Sequence, residues 1–331
     1  MDAMRQSPKL VTVFGGSGFL GRNVVRLLAK RGYRIRVAVR RPNLAFFLQP
    51  LGVVGQIQPV QANLRFHGSV ERAVAGADAV VNLVGILQES GRQRFGDVQA
   101  EGARAIAASV PVGTPLVHVS ALGADLTSTS DYAQSKARGE GAIASAHPGA
   151  VILRPSLLFG EGDSFFNRFA ALARALPVLP LAGADTRFQP AFVGDVADVV
   201  ARAVDGGVPG GRVHELGGPE VRTLRELVAY VLTVTKRRRV VLSLPFGTAR
   251  LQAQILEIAD ALTLGLLPDA LKLTRDQVEL LRSDNVVSEA AVAEGRTFQG
   301  LGITPRAMEA IVPSYLERFR KTGQFDIQRA S

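Results

Sequence analysis

The chain has 331 residues, 47% of them hydrophobic, with 39 Lys and Arg against 29 Asp and Glu and a formal net charge of +10. That length buries a large core and that composition excludes a disordered chain, while the absence of cysteine excludes disulfides, thiolate zinc sites and cysteine nucleophiles. With no Trp, four Tyr and no recognisable nucleic-acid module, the positive charge points away from nucleic acid, to a phosphate-bearing cofactor, anionic lipid head groups or an acidic protein surface.

The first nine residues read as a flexible polar tail, without the apolar run of a secretory signal, and no apolar stretch is long enough to predict a spanning helix. Leu10-Val11-Thr12-Val13-Phe14 then predicts a buried strand, and Gly15-Gly16-Ser17-Gly18-Phe19-Leu20-Gly21 follows it at once. A helix over about 19–31 comes next, closed by Gly32. In that setting the glycines let the backbone approach a pyrophosphate without Cβ clashes. The helix offers its first N–H groups and positive dipole end to the phosphates. Gly15, Ser17, Gly18, Phe19 and Leu20 are the expected contacts, with a plain glycine-rich turn as the alternative. The glycines are spaced three and three, not two and three as in the commonest dehydrogenase fingerprint.

Further strands are predicted at 34–39, 57–60, 78–84, 115–119 and 150–153, and helices near 43–51, 69–75, 93–109 and 131–146. This alternation is the pattern of an α/β, doubly wound parallel sheet of the Rossmann kind. Ala79-Val80-Val81-Asn82-Leu83-Val84 lacks polar alternation, as a central strand covered on both faces should. From about Leu153 proline and glycine become frequent and predict loops and short helices. Segments around 189–205, 212–216 and 223–235 return to the sheet, and the tail after about Pro245 is mostly helical. The expected organisation is a dinucleotide-binding domain over 10–160 with returning segments at about 189–235. A smaller, mostly helical C-terminal lobe takes 161–188 and 236–331.

The end of the second strand decides the coenzyme. An Asp or Glu there accepts hydrogen bonds from the ribose hydroxyls of NAD and repels a 2′-phosphate. This strand, Ile35-Arg36-Val37-Ala38-Val39, ends in Arg40-Arg41, and a guanidinium fork suits phosphate. The reading is NADP(H), with Arg40 the leading contact and Arg41 beside it; a solvated arginine pair is the alternative. Further on, Tyr132-Ala133-Gln134-Ser135-Lys136 opens a helix. Tyr and Lys four apart share a helical face, so the ammonium lowers the phenol's pKa and can meet a ribose.

With these residues in place the chain resembles the short-chain dehydrogenase/reductase superfamily, in its extended or atypical, epimerase/dehydratase-like branch. The likeness rests on Gly15 to Gly21, Asn82 to Gly85, Tyr132 to Lys136, Leu153-Arg154-Pro155 and Gln189-Pro190-Ala191-Phe192-Val193-Gly194-Asp195-Val196-Ala197. It implies that Tyr132 and Lys136 sit at the nicotinamide ribose, close to Val119 and Ser120 at the end of the fifth strand. It also implies that Asn63 and Leu64 flank the adenine, that Leu83, Val84 and Gly85 line the middle of the cofactor, and that Pro155, Leu157 and Leu158 meet the nicotinamide. One departure matters. The superfamily places a Ser or Thr just past the fifth strand to hold the substrate oxygen, and the aligned positions here are Ala121 or Leu122. Ser120 falls early, and Thr127, Ser128, Thr129 and Ser130 are the later hydroxyls that would have to reach in. Without that group, substrate placement is weak, so the expected protein holds NADP(H) and turns it over poorly or not at all.

A narrower set of strings resembles the NADH dehydrogenase (ubiquinone) 1 alpha subcomplex subunit 9 family in its bacterial form. They are Leu244-Pro245-Phe246-Gly247, Leu273-Thr274-Arg275-Asp276-Gln277-Val278-Glu279-Leu280-Leu281, Ser283-Asp284-Asn285-Val286-Val287, Gly302-Ile303-Thr304-Pro305, Pro313-Ser314-Tyr315-Leu316 and Gly323-Gln324-Phe325. That resemblance implies an NADPH-binding accessory subunit of respiratory complex I, beside the peripheral arm and near the membrane at its cytoplasmic face, supporting assembly and stability without turnover. Related members are linked to ubiquinone biosynthesis, and a working NADP-dependent reductase or epimerase is the alternative.

Two segments are candidate membrane or partner contacts: the basic run Thr235-Lys236-Arg237-Arg238-Arg239, and an amphipathic stretch over about 248–267 with Leu251, Ile255, Ile258 and Leu262 on one face. A solvated loop and ordinary core packing are their respective alternatives. His67, His118, His147 and His214 have no ligand spacing, so no metal site is expected.

Overall fold

The computed structural model describes residues 8–262, 274–321 and 323, and of 255–262 the backbone alone. Residues 1–7 of the expected tail, and the side chains of Ile255, Ile258 and Leu262 on the amphipathic stretch, lie outside the described residues.

The elements run β1 (Leu10–Phe14), α1 (Phe19–Lys30), β2 (Arg34–Val39), β3 (Ile57–Gln61), α2 (His67–Val74), β4 (Ala79–Asn82), α3 (Glu101–Ser109), β5 (Leu116–Val119), α4 (Asp131–Ala146) and β6 (Val151–Pro155). After these come β7 (Leu158–Phe159), α5 (Phe165–Ala175), β8 (Val178–Ala182), β9 (Arg187–Phe188), β10 (Ala191–Phe192), α6 (Val193–Val204) and β11 (Arg212–Leu216). The last group is β12 (Arg222–Thr223), α7 (Leu224–Val234), β13 (Val240–Leu244), α8 (Phe246–Leu262), α9 (Arg275–Leu280), α10 (Glu289–Ala293) and α11 (Met308–Leu316).

Two compact units result. The first takes the described residues of Met1–Pro155, Val193–Leu216 and Glu289–Ile303; the second takes those of Ser156–Phe192, Gly217–Ser288 and Thr304–Ser331. The segment at about 189–235 is therefore divided between the units. Residues 193–216 join the first because β11 pairs with β6 and α6 packs on α1.

The first unit is a seven-stranded sheet in the order β11-β6-β5-β4-β1-β2-β3, every pair parallel. Its central strands are buried on both faces: every residue of β4 and β5 is buried, and so is β1 from Val11 onward. The buried Thr12 donates its hydroxyl to the Ala73 carbonyl (2.7 Å), which removes the cost of a polar group in that layer. The strand order reverses between β1 and β4, and such a reversal opens a crevice at the C-terminal strand ends.

Local structure departs from the sequence expectations in four places. The helix expected near 93–109 is α-helical only from Glu101, with Gly96–Ala100 a π-helical turn before it. The strand expected over 78–84 stops at Asn82, because the Asn82 side chain accepts from the Val84 N–H (3.0 Å) and turns the chain out of the sheet. The helix expected over 43–51 is a 3₁₀ segment, Pro42–Leu51, with Pro50 inside it. The loops and short helices expected after Leu153 include strand β8, which pairs in parallel with β13. Pro180 in β8 hides that strand from a pattern reading.

The second unit packs Phe159, Phe166, Leu227, Val231, Val312 and Leu316 into one core. Its helix α7 starts on a reciprocal cap: Thr223 accepts from the Glu226 N–H, and the Glu226 carboxylate accepts from the Thr223 N–H. Within it the basic run is committed in part to main chain. Arg237 Nε donates to the Phe319 carbonyl (2.9 Å) and Arg239 Nε to that of Ala173 (2.7 Å). Among the described residues no helix is long and apolar enough to cross a membrane.

Candidate functional site

β1 delivers the chain to a turn that only glycine can make. Gly15 has φ +76°, and a Cβ on it would lie 3.0 Å from the carbonyl carbon and oxygen of Leu83. At Gly21 a Cβ would lie 2.3 Å from the Gly15 carbonyl oxygen, so the first turn of α1 closes directly on the loop. α1 begins at Gly18 with no side-chain cap and no acid in its first turn, which leaves its N-terminal N–H groups and dipole to an anion.

The turn opens onto a cleft of about 420 Å³ in the first unit. It is lined by Gly15, Ser17, Gly18, Arg40, Asn63, Leu64, Leu83, Val84 and Gly85, all singled out from the sequence. Phe14, Ala38, Ala62, Arg65, Ile86, Arg92, Gln93, Asp97 and Val98 also line it and were not. That volume falls in the ordinary range for small-molecule sites, about 300–1,000 Å³. Three arginines and one aspartate set its electrostatics, and Arg65 reaches Asp97 at 3.4 Å.

Not every expected residue stands at the cleft wall. Phe19 and Leu20 are the first residues of α1, with Leu20 buried. The expected arginine pair is divided: Arg40 lines the cleft, whereas Arg41 opens the 3₁₀ segment, its carbonyl accepting from the Leu44 N–H (3.1 Å). Neighbouring residues leaving a strand point to different sides, so two consecutive arginines do not share one wall. Leu157 and Leu158 belong to the second unit, where the Leu157 carbonyl accepts from Ala191 and Leu158 pairs with Ala191 across β7 and β10. Pro155 ends β6, and its carbonyl accepts from the Leu122 N–H (3.0 Å).

At the Gly85 side of the cleft the packing becomes polar and buried. A Cβ on Gly85 would lie 3.1 Å from Lys136 Nζ and 3.6 Å from Gln99 Oε1. Lys136 is buried on α4 and donates to the Val119 carbonyl (3.4 Å); burial pushes its pKa down to about 8, with Glu140 acting in the opposite sense. Tyr132, one turn earlier, packs perpendicular to the Phe95 ring at 5.7 Å between centroids. α4 reaches this position because Gly139 lets it close on Gln99, whose carbonyl would be 2.8 Å from a Cβ there.

Beneath them lies a buried pair, Asn82 and His118. Asn82 Oδ1 accepts from the Val84 N–H, which fixes its amide and directs Nδ2 to donate to His118 Nδ1 (3.0 Å). His118 is thus a neutral Nε2–H tautomer, and burial, then the Lys136 charge, holds its pKa down to about 3. His118 Nε2, Ser120 Oγ and Gln99 Oε1 are buried with no hydrogen-bond partner among the described residues. An unsatisfied buried polar atom costs about 1–3 kcal/mol.

Of the later hydroxyls that would have to replace the one expected past the fifth strand, three are engaged locally. Thr127 Oγ1 is held by the Asp125 carboxylate (2.9 Å), Ser128 Oγ accepts from the Ser130 N–H (3.1 Å), and buried Ser130 caps α4 by accepting from the Ala133 N–H (3.3 Å). All three bonds are local to the turn that leads into α4, and Ser130 alone caps the helix. Among the described residues no cluster of His, Asp or Glu is arranged to hold a metal ion.

A capless helix, a glycine cradle and a cationic wall fit a dinucleotide, and the comparisons agree. The NAD dependent epimerase/dehydratase family matches residues 11–217. The mitochondrial NADH dehydrogenase [ubiquinone] 1 alpha subcomplex subunit 9 of Arabidopsis thaliana is 32% identical over 95% of this chain and 79% of its own length. A ceramide reductase of Caulobacter vibrioides is 35% identical over 57% of this chain and 58% of its own. An NADPH-dependent quinone oxidoreductase of Escherichia coli, solved with NADPH, shares the fold at a TM-score of 0.68 and 21% identity over 92% of this chain and 99% of its own. The chain belongs to the NAD dependent epimerase/dehydratase family and, within it, to the family of complex I alpha subcomplex subunit 9.

Proposed function

We propose that this chain holds NADP(H) in the cleft of its first unit and serves respiratory complex I as a non-catalytic accessory or assembly subunit, peripheral at the cytoplasmic face of a bacterial inner membrane. The observation that carries the coenzyme choice is Arg40. It lines the cleft where a ribose-reading carboxylate would stand in an NAD site, and Arg65 and Arg92 add charge to the same wall. A guanidinium there donates to a 2′-phosphate and leaves ribose hydroxyls without their acceptor. The turn from Gly15 to Gly18 and the first N–H groups of α1 would hold the pyrophosphate, and Lys136 would meet the nicotinamide ribose.

Bound nicotinamide supplies a hydride donor or acceptor, but the chain does little to place a substrate against it. Positions 121 and 122 carry no hydroxyl, and Thr127, Ser128 and Ser130 of the later run are engaged in the turn before α4. Likeness to the complex I subunits supports the accessory role. NADP(H) then stabilises the fold by linkage, by about 2.7 kcal/mol at a hundredfold excess over its dissociation constant.

A second reading has its own support. Tyr132 and buried Lys136 retain the pair of a working reductase or epimerase, and the ceramide reductase likeness points the same way. One pair of measurements separates the readings. Under the accessory reading the tagged chain co-migrates with complex I on a native gel, and bound NADPH survives a broad panel of carbonyl and sugar-nucleotide compounds. Rapid substrate-dependent oxidation that Tyr132→Phe abolishes would establish the enzyme instead.

A further inference from the structure

Positive charge is spread unevenly along this chain. Between Asp2 and Glu71 there is no Asp or Glu, yet eleven of the 39 Lys and Arg fall there, so the other 28 are balanced by the 29 acidic residues. That one stretch carries the whole surplus.

The fold gathers much of it on one face of the first unit. α1 packs against both α6 and the 3₁₀ segment Pro42–Leu51. Arg22, Arg26 and Lys30 recur every fourth residue along α1 and are exposed. The ion pairs on this side belong to Arg31 and Arg202, which hold Asp198 and Asp205; Arg22, Arg26 and Lys30 take part in none among the described residues.

Beside this basic stripe the chain from Pro42 to Leu64 has no charged residue at all. Buried Ala45 and Leu48 pin the 3₁₀ segment, which leaves Leu44, Phe46 and Phe47 62%, 52% and 53% exposed. In the following turn Val53 is 73% exposed and Val54 fully so. Gln56 ties that turn to the end of α1 by donating to the Ala29 (2.7 Å) and Tyr33 (3.0 Å) carbonyls, so the two valines stand at the same end as Lys30 and exposed Arg34. Large apolar side chains grouped in water at such density mark a contact surface.

We propose that this face, α1 together with residues 42–54, seats the protein on an anionic lipid surface. Phe47, Val53 and Val54 enter the boundary between head groups and acyl chains, and Arg22, Arg26, Lys30 and Arg34 meet the lipid phosphates. Charge complementarity selects the sign of the partner. Shape selects the bilayer: the apolar side chains stand out from the turn, and lipid moulds around a projection where a folded partner must offer a matching groove. The proposal rests on this face alone and not on the cofactor reading.

Sedimentation of the full chain with vesicles tests it. Binding to phosphatidylcholine vesicles containing phosphatidylglycerol should exceed binding to phosphatidylcholine alone by about tenfold or more, and should fall as salt rises. The double variant Phe47→Ser with Val54→Ser, and the triple variant Arg22→Gln, Arg26→Gln and Lys30→Gln, should each weaken it about tenfold, with melting temperature and NADPH affinity unchanged. No binding, equal binding to both vesicles, or binding untouched by either variant set overturns the proposal. Loss, in the same variants, of salt-sensitive association with an acidic subunit, when vesicles bind nothing, would assign the face to a protein and overturn it as well. A wild-type chain that binds vesicles but no NADPH would contradict the proposed function and leave this inference standing.

Discussion

The Arg40 side and the Lys136 side of the first unit are built on different terms. At the Arg40 side every element suits a phosphate: a glycine turn, a helix without cap or acid, and three arginines on the wall. At the Lys136 side the lysine and tyrosine remain, but no hydroxyl stands at 121 or 122, and His118, Ser120 and Gln99 each keep a buried polar atom without a partner among the described residues. Binding and turnover depend on separate residues, so a chain can keep one and lose the other. The Arg40 side is the more completely built, and that asymmetry is what the proposed accessory role requires.

The comparison breaks most sharply at the glycine turn. Gly15→Ala adds a Cβ at positive φ and 3.0 Å from Leu83; NADPH affinity measured by calorimetry should fall about a hundredfold or more, with a loss of stability of at least about 1 kcal/mol. Arg40→Glu should follow, weakening NADPH by roughly 10–100-fold, since charge-assisted hydrogen bonds contribute about 1.5–3 kcal/mol, while NADH binding holds or improves. Equal losses for both coenzymes would place Arg40 at the shared pyrophosphate.

The Lys136 side is probed by pH. The folded pKa of Lys136, about 8, lies below its ordinary 10.5, so between those values the unfolded chain binds the extra proton. Stability is full above about 10.5 and is lost as pH falls to about 8, with a slope of at most about 1.4 kcal/mol per pH unit. His118, at about 3 against 6.5, adds the same sign of slope in acid: stability falls as pH drops from 6.5 towards 3. Denaturant unfolding across pH should show both slopes. Lys136→Met should flatten the alkaline one, and His118→Asn, which keeps an acceptor for Asn82, should flatten the acid one. The smallest effect belongs to Tyr132→Phe, which should leave NADPH affinity within about tenfold, because losing one hydroxyl hydrogen bond removes about 0.5–1.5 kcal/mol.

What the sequence disclosed depends on how local each feature is. The strand, turn and helix from Leu10 to Lys30 are adjacent in the chain, so spacing alone exposes them. Arg40 is legible for the same reason, as the residue after β2. Arg65 and Arg92 reach the cleft from loops, where no periodicity says which way the chain turns. The roles of Thr127, Ser128 and Ser130 depend on the turn that Asp125 builds before α4, and hydroxyl-rich strings do not reveal which of their members are caps. The pairing of β8 with β13 joins residues 178–182 to 240–244, too far apart in the chain for any window to connect.

The central claim is that this cleft selects the phosphorylated coenzyme. Calorimetric titration of the purified, nucleotide-free chain with NADPH and with NADH in the same buffer tests it most directly. The account predicts NADPH to bind about a hundredfold tighter, as two or three charge-assisted contacts require. Equal affinities, or a preference for NADH, would contradict it.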